Sequence, residues 1–242
     1  MKASIGQSRK VAMRMLGLIG GMSWESTAIY YRYLNEIARE RLGGLHSARL
    51  LLWSFDFAQV AEKQHDGDWD GAAALLVHAA RSLESAGAEA MVICTNTMHR
   101  VAAELEAEVS VPLIHIADAT AASIKEAGLR RPALLATRFT MEQEFYKGRL
   151  RERHGVDALV PDRGGRDLVH RVIYDELCRG VVREESKQAY LSEIERLRAR
   201  GADSVILGCT EIGMLIGQED LDLPVFDTTR IHAEAAMDFA LG

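Results

Sequence analysis

Two stretches decide the fold: "LESAGAEAMVICTNT" (residues 83–97) and "LRARGADSVILGCTE" (residues 197–211). Each passes from a helix-like pattern through a glycine into a short apolar run and ends in a polar cluster. Glycine there is the usual punctuation after a helix. The apolar run reads as a strand buried on both faces of a parallel sheet. Aligned without gaps, Leu83 meets Leu197, Gly87 meets Gly201 and Ala88 meets Ala202, each displaced by 114 positions. The following strands correspond too, "VPLIHIADAT" with "LPVFDTTRIHA", as do earlier ones, "GLIGGMSWE" with "ALLATRFTM".

Working outward, further apolar runs such as "ARLLLWSF" and "PALLATR" alternate with amphipathic stretches such as "STAIYYRYLNEIARERL" and "AALLVHAARSLESAG". That alternation predicts βαβ units, an α/β protein with a mostly parallel sheet flanked by helices. Any two βαβ units look somewhat alike, but the shared identities favour a duplicated half. The expectation is two pseudo-symmetric lobes, 13–118 and 119–226, with a last helix over 227–242 completing the first lobe. Residues 1–12 are basic, lack the apolar centre of a signal peptide, and read as a short disordered extension.

The 242 residues suffice for one large α/β domain or two small lobes. A net charge of −6 argues against a general affinity for nucleic acid. Cys94, Cys178 and Cys209 are too few and scattered for a disulfide framework, which points to a reducing, cytoplasmic setting. No apolar run approaches the roughly 20 residues that span a bilayer, so no membrane partner is expected.

The alignment also sorts the cysteines. Cys94 falls opposite Gly208, and Thr95 opposite Cys209. Successive side chains on a strand point to opposite faces, so if Cys209 faces a cleft, its mate is Thr95 and Cys94 points into the core. Cys178 reads as another buried thiol, on a helix. Ligands of open α/β sheets sit beyond the carboxyl ends of the strands, where Thr95-Asn96-Thr97 and Cys209-Thr210-Glu211 lie. Each cluster opens an expected helix, whose free N–H groups favour an anion and would lower the pKa of Cys209. Helix capping is the plainer role for either cluster; two at equivalent strand ends favour a site. Thr137 and Thr140 stand at a third strand end, with Thr140 and Gln143 spaced as a capping box. Gly20 and Gly21 permit a close backbone approach. There is no GxGxxG or Walker pattern, and His46, His99, His115 and His232 lack metal-ligand spacing, so no dinucleotide, ATP, metal or other cofactor is expected.

The ordered motifs "GLIGGMSWEST", "TNTMH", "LLATRFTM", "GCTEI" and "LPVFDTTRIHA" resemble the aspartate/glutamate racemase family along roughly residues 15–242. The resemblance implies two similar lobes with the site at their interface, a homodimer, and racemisation of a small amino acid without a cofactor. It implies two cysteines flanking the substrate's α-carbon, and an α-carboxylate held at the positions of Asn96, Thr97, Thr140 and Thr210. Gly21, Met22, Thr137 and Glu211 join them as expected substrate contacts. At the first cysteine position this chain has Thr95. The resemblance therefore implies Cys209 as base toward the L-enantiomer, Thr95 in the place of the second acid/base, and closest similarity to L-aspartate/L-glutamate-specific racemases with this Thr/Cys pair. An acidic substrate side chain needs a cation, for which Arg49 and Arg171 are candidates. The alternatives are a broad-specificity amino-acid racemase, an arylmalonate-type decarboxylase, which keeps only the second cysteine, and a non-catalytic amino-acid binding protein.

Overall fold

The computed structural model describes residues 12–242; the expected extension at 1–12 lies, but for its last residue, outside them. The first half runs β1 (Leu16–Gly20), α1 (Trp24–Leu42), β2 (Leu50–Ser54), α2 (Phe57–Asp66), α3 (Trp69–Ser85), β3 (Ala90–Ile93), α4 (Ala102–Glu106) and α5 (Ile116–Glu126). The second runs β4 (Pro132–Ala136), α6 (Arg138–Glu142), α7 (Glu144–His154), α8 (Arg163–Asp175), α9 (Glu184–Ala199), β5 (Ser204–Gly208), β6 (Val225–Asp227) and α10 (Thr228–Leu241).

Two parallel three-stranded sheets result, ordered β2-β1-β3 and β4-β5-β6. Single bridges extend them alike: Leu113 pairs beside Met91 of β3, and Leu159 beside Ala133 of β4. Both sheets thus follow one four-position plan, with β3 and β5 in equivalent inner places. The two stretches aligned in the sequence occupy those places.

Strand alternation sets the packing. Leu16 and Leu18 of β1, with Ala90, Val92 and Cys94, face Tyr30 and Leu34 of α1 and Ala233 and Met237 of α10. Ile19, Met91 and Ile93 face the other way, onto Leu76, Ala80 and Leu83 of α3. The C-terminal helix therefore covers the first sheet. In the second sheet, Leu134, Val205 and Ile206 share one core with Ile124 of α5, Leu150 of α7, Val172 of α8 and Ile194 of α9. No helix among the described residues is long and apolar enough to cross a membrane.

Candidate active site

The carboxyl ends of β3 and β5 open into one cleft of about 450 Å³, part of it open to solvent. Thr95, Asn96 and Thr97 line it from one lobe, and Cys209, Thr210 and Glu211 from the other, joined by Met22 and Thr137. Hydrogen bonds join the lobes across its floor: Thr97 Oγ1 to Thr137 Oγ1 at 3.0 Å, Ser26 Oγ to Thr210 Oγ1 at 2.7 Å, and Ser23 Oγ to Glu211 Oε1 at 2.8 Å. Ser23 also caps α1, accepting from the Ser26 backbone N–H. One residue thus starts a helix in the first lobe and holds a carboxylate of the second.

Cys94 is fully buried, as the alternation required, and burial pushes its thiol pKa up. Cys209 keeps part of its surface open to the cleft. Its Sγ donates to Glu211 Oε2 at 2.9 Å. The segment after it, Thr210–Met214, is a single short 3-10 turn rather than a helix. The expected lowering of the Cys209 pKa is therefore reversed. Burial first, then the Glu211 carboxylate, raise it well above the usual thiol value. The resting thiol keeps its proton and presents it to Glu211.

Asn96 carries a second clue. Thr228 Oγ1 donates to the Leu207 carbonyl, so toward Asn96 it can only accept, and the amide must turn Nδ2 to it, at 3.1 Å. That leaves Asn96 Oδ1 buried without a donor among the described residues, and a buried acceptor of this kind is costly unless a ligand completes it. Thr95 is placed from behind: the His99 Nδ1–H donates to its carbonyl at 2.8 Å, and the same ring's Nε2 accepts from the Ile116 backbone N–H at 3.2 Å.

Other expected residues lie elsewhere. Thr140 is buried inside α6, whose N-cap is Thr137, so it caps nothing; it reaches the cleft only through its 3.3 Å bond to Thr137. Gly21 has φ +80°, and a Cβ there would stand 2.3 Å from the Phe55 backbone, so its close approach is to its own chain. Arg49 is exposed and donates to the Met13 carbonyl at 2.8 Å, and Arg171 is exposed on α8. Neither lines the cleft.

Sequence reasoning missed Ser23, Ser26, Phe57, Gln64, Ile173, Tyr174 and Cys178, all of which line the cleft. Only the two serines carried a signal, standing inside "GGMSWES". Cys178, expected in a core, is half-buried on a 3-10 turn, and burial and Glu211 push its thiol up to about 12.

The Asp/Glu/hydantoin racemase family model matches residues 19–236. A candidate Asp/Glu racemase from Yersinia pestis superposes with a TM-score of 0.90 at 54% identity, covering 95% of this chain and 100% of that one. An aspartate racemase homologue from Pyrococcus horikoshii gives 0.83 at 36% identity, covering 94% and 99%. The broad-specificity amino-acid racemase of Bacillus subtilis is 18% identical over 92% of this chain and 96% of its own length. With its duplicated lobes, its cleft at their junction and a family match over nearly the whole chain, the protein belongs to the Asp/Glu/hydantoin racemase family.

Proposed function

We propose that this amino-acid racemase moves the α-proton directly between side chains, with Cys209 as base on the L face and Thr95 on the opposite face. The observation that carries the reading is the pairing of Cys209 with Glu211 at one wall of a cleft whose other wall holds Thr95. Asn96 Oδ1, lacking a donor, accepts from the substrate's α-ammonium. The Thr97 and Thr137 hydroxyls take the α-carboxylate. Charge flowing into that carboxylate as the α-proton leaves strengthens these bonds in the transition state.

The protons balance as follows. Cys209 passes its proton to Glu211, and the thiolate removes the α-proton of the L-amino acid. Thr95 O–H protonates the planar carbanion from the other side and recovers a proton from water, and the hydroxide so formed takes the proton held on Glu211, which restores the resting site. An alcohol is acidic enough to quench a carbanion, but not to stand ready as an alkoxide. The two faces are therefore unequal in exchange. They are equal in racemisation, because the enantiomers have the same free energy and kcat/KM must match in both directions. The asymmetry appears as return of a solvent-derived proton to the L face.

The test is α-proton exchange in deuterated water, followed by NMR for L- and D-enantiomers separately. L-amino acids should exchange faster than they racemise and faster than their D-forms, and Cys209→Ala should abolish this. Equal exchange from both enantiomers, or exchange surviving in Cys209→Ala, overturns the assignment. Carbon dioxide release from malonates in place of exchange would mark the decarboxylase alternative.

A further inference from the structure

The family's name suggests acidic substrates, yet the part of the cleft left for a side chain is uncharged. Once Asn96, Thr97 and Thr137 take the amino-acid head, the wall away from the reacting groups is Met22, Phe57, Gln64, Ile173, Tyr174 and Cys178, while the Ser23, Ser26 and Thr210 hydroxyls are already engaged with Glu211, the Cys94 carbonyl and one another. Among the described residues no lysine or arginine lines it. A carboxylate taken out of water needs a cation or a full set of donors. The Gln64 amide already points Nε2 at Met98 Sδ, 3.0 Å away. Arg100 is held over the Trp69 ring and bonded to Gln143, and Arg138 lies exposed beside Asp167.

Around Tyr174 and Cys178 the neighbouring charges that act are carboxylates. Glu211 is a nearly buried carboxylate in the same cleft, only 5% exposed. Its charge helps raise the pKa of both Tyr174 and Cys178, at the side-chain end. A second carboxylate, Glu25, acts on Cys178 as well. Gln64 and Tyr174 also line a neighbouring, partly solvent-open hollow of about 580 Å³ walled by Ala61, His65, Phe139 and His170. Burial first, then the nearby Arg138 guanidinium, lower the His170 pKa, so this ring is neutral at pH 7 and above, and Arg138 itself lies exposed at the outer edge. A side chain longer than that of aspartate would lie toward this shared, weakly polar wall of Gln64 and Tyr174.

Resting on the racemase reading above, we propose that the site selects amino acids with uncharged side chains about as long as glutamine or methionine, in preference to aspartate and glutamate. The discrimination acts on the bound side chain equally before and during proton transfer, so it belongs in KM rather than kcat.

The experiment compares near-isosteric pairs at pH 8, L-glutamine with L-glutamate and L-asparagine with L-aspartate, plus L-methionine, by initial α-deuterium exchange. L-glutamine and L-methionine should exceed L-glutamate at least tenfold in kcat/KM, mostly through KM. Calorimetric binding to Cys209→Ala, which removes the chemistry, should show the same order. L-glutamate or L-aspartate matching or exceeding its neutral partner in both measurements overturns the selection while leaving the reaction intact. No exchange from any of the five, with no binding, overturns the racemase reading and the selection together.

Discussion

At the scale of single residues, Glu211 is the group whose two effects on Cys209 oppose each other. Its negative charge raises the thiol pKa, which disfavours the thiolate needed for catalysis. Its Oε2 is also, among the described residues, the one acceptor hydrogen-bonded to that thiol, 2.9 Å away, with the other oxygen steadied by Ser23. If charge repulsion were its whole effect, Glu211→Gln would lower the thiol pKa and speed exchange at neutral pH. If it receives the proton, the same change removes the acceptor and slows exchange by the ~10²-fold or more typical of a lost acid–base partner. The second outcome is expected, with exchange in the variant recovering as pH rises and solvent hydroxide removes the proton instead. A pH–rate profile of the two proteins checks it, and a faster variant at pH 7 would sink the proton-acceptor role.

At the scale of elements, the position of Cys209 depends on how closely β5 lies against β4. Gly208 makes that possible: a Cβ there would sit 2.9 Å from the Ala136 Cβ and 3.1 Å from the Leu135 carbonyl oxygen. The oxygen belongs to a strand backbone and cannot step aside. Gly208→Ala should therefore cost about 1–3 kcal/mol of stability. It should also lower exchange more than that loss explains, because the displaced residue adjoins Cys209. Gly213→Ala, where nothing stands within 4 Å of the added carbon, is the control. Thermal unfolding and exchange measured side by side check this, and a Gly208→Ala protein with full activity would refute it. The strands themselves were legible because each is a short apolar run closed by a polar cluster, and the duplicated register placed Thr95 opposite Cys209. The 3-10 turns at 97–101 and 210–214 were not legible, since their sequences begin as helices do. Nor were Gln64, Tyr174 and Cys178. Helical periodicity says that such elements bury a face, but which rim residue reaches a cleft depends on how two lobes meet.

At the scale of the whole molecule, three buried histidines pack together behind the site and tie the C-terminal helix to the first lobe. The rings of His99 and His115 lie 4.6 Å apart, and those of His99 and His232 5.6 Å apart. His232 gives a hydrogen bond from Nε2 to the Ile114 carbonyl and, neutral because burial lowers its pKa, takes one from the Tyr30 hydroxyl at Nδ1. Burial lowers all three pKa values, His99 well below the usual range, His115 to about 2 and His232 to about 4. Nearby Arg149 adds to the effect on His99 and His115. In the unfolded chain each takes up a proton near pH 6.5. Their contribution to stability is therefore complete above that pH and is lost as the pH falls below it, because the unfolded state then binds more protons. From pH 7.5 to 5.5 the three together should remove about 4 kcal/mol, a large share of the ~5–15 kcal/mol that holds a domain folded. Asp118 and Asp203 do not contribute in this window, since their pKa values are lowered from an already acidic range. Asp227, whose pKa burial raises, acts in the opposite sense, taking up its proton in the fold at a higher pH than in the unfolded chain. Urea unfolding at the two pH values tests this, with His232→Gln as comparison. Glutamine can accept from Tyr30 and donate to Ile114 but does not titrate, so the variant should lose about 1 kcal/mol less than the parent between the same pH values. A parent protein equally stable at pH 7.5 and 5.5 would mean that the three rings already carry their protons in the fold, and that the junction behind Thr95 is held by charge rather than by neutral hydrogen bonds.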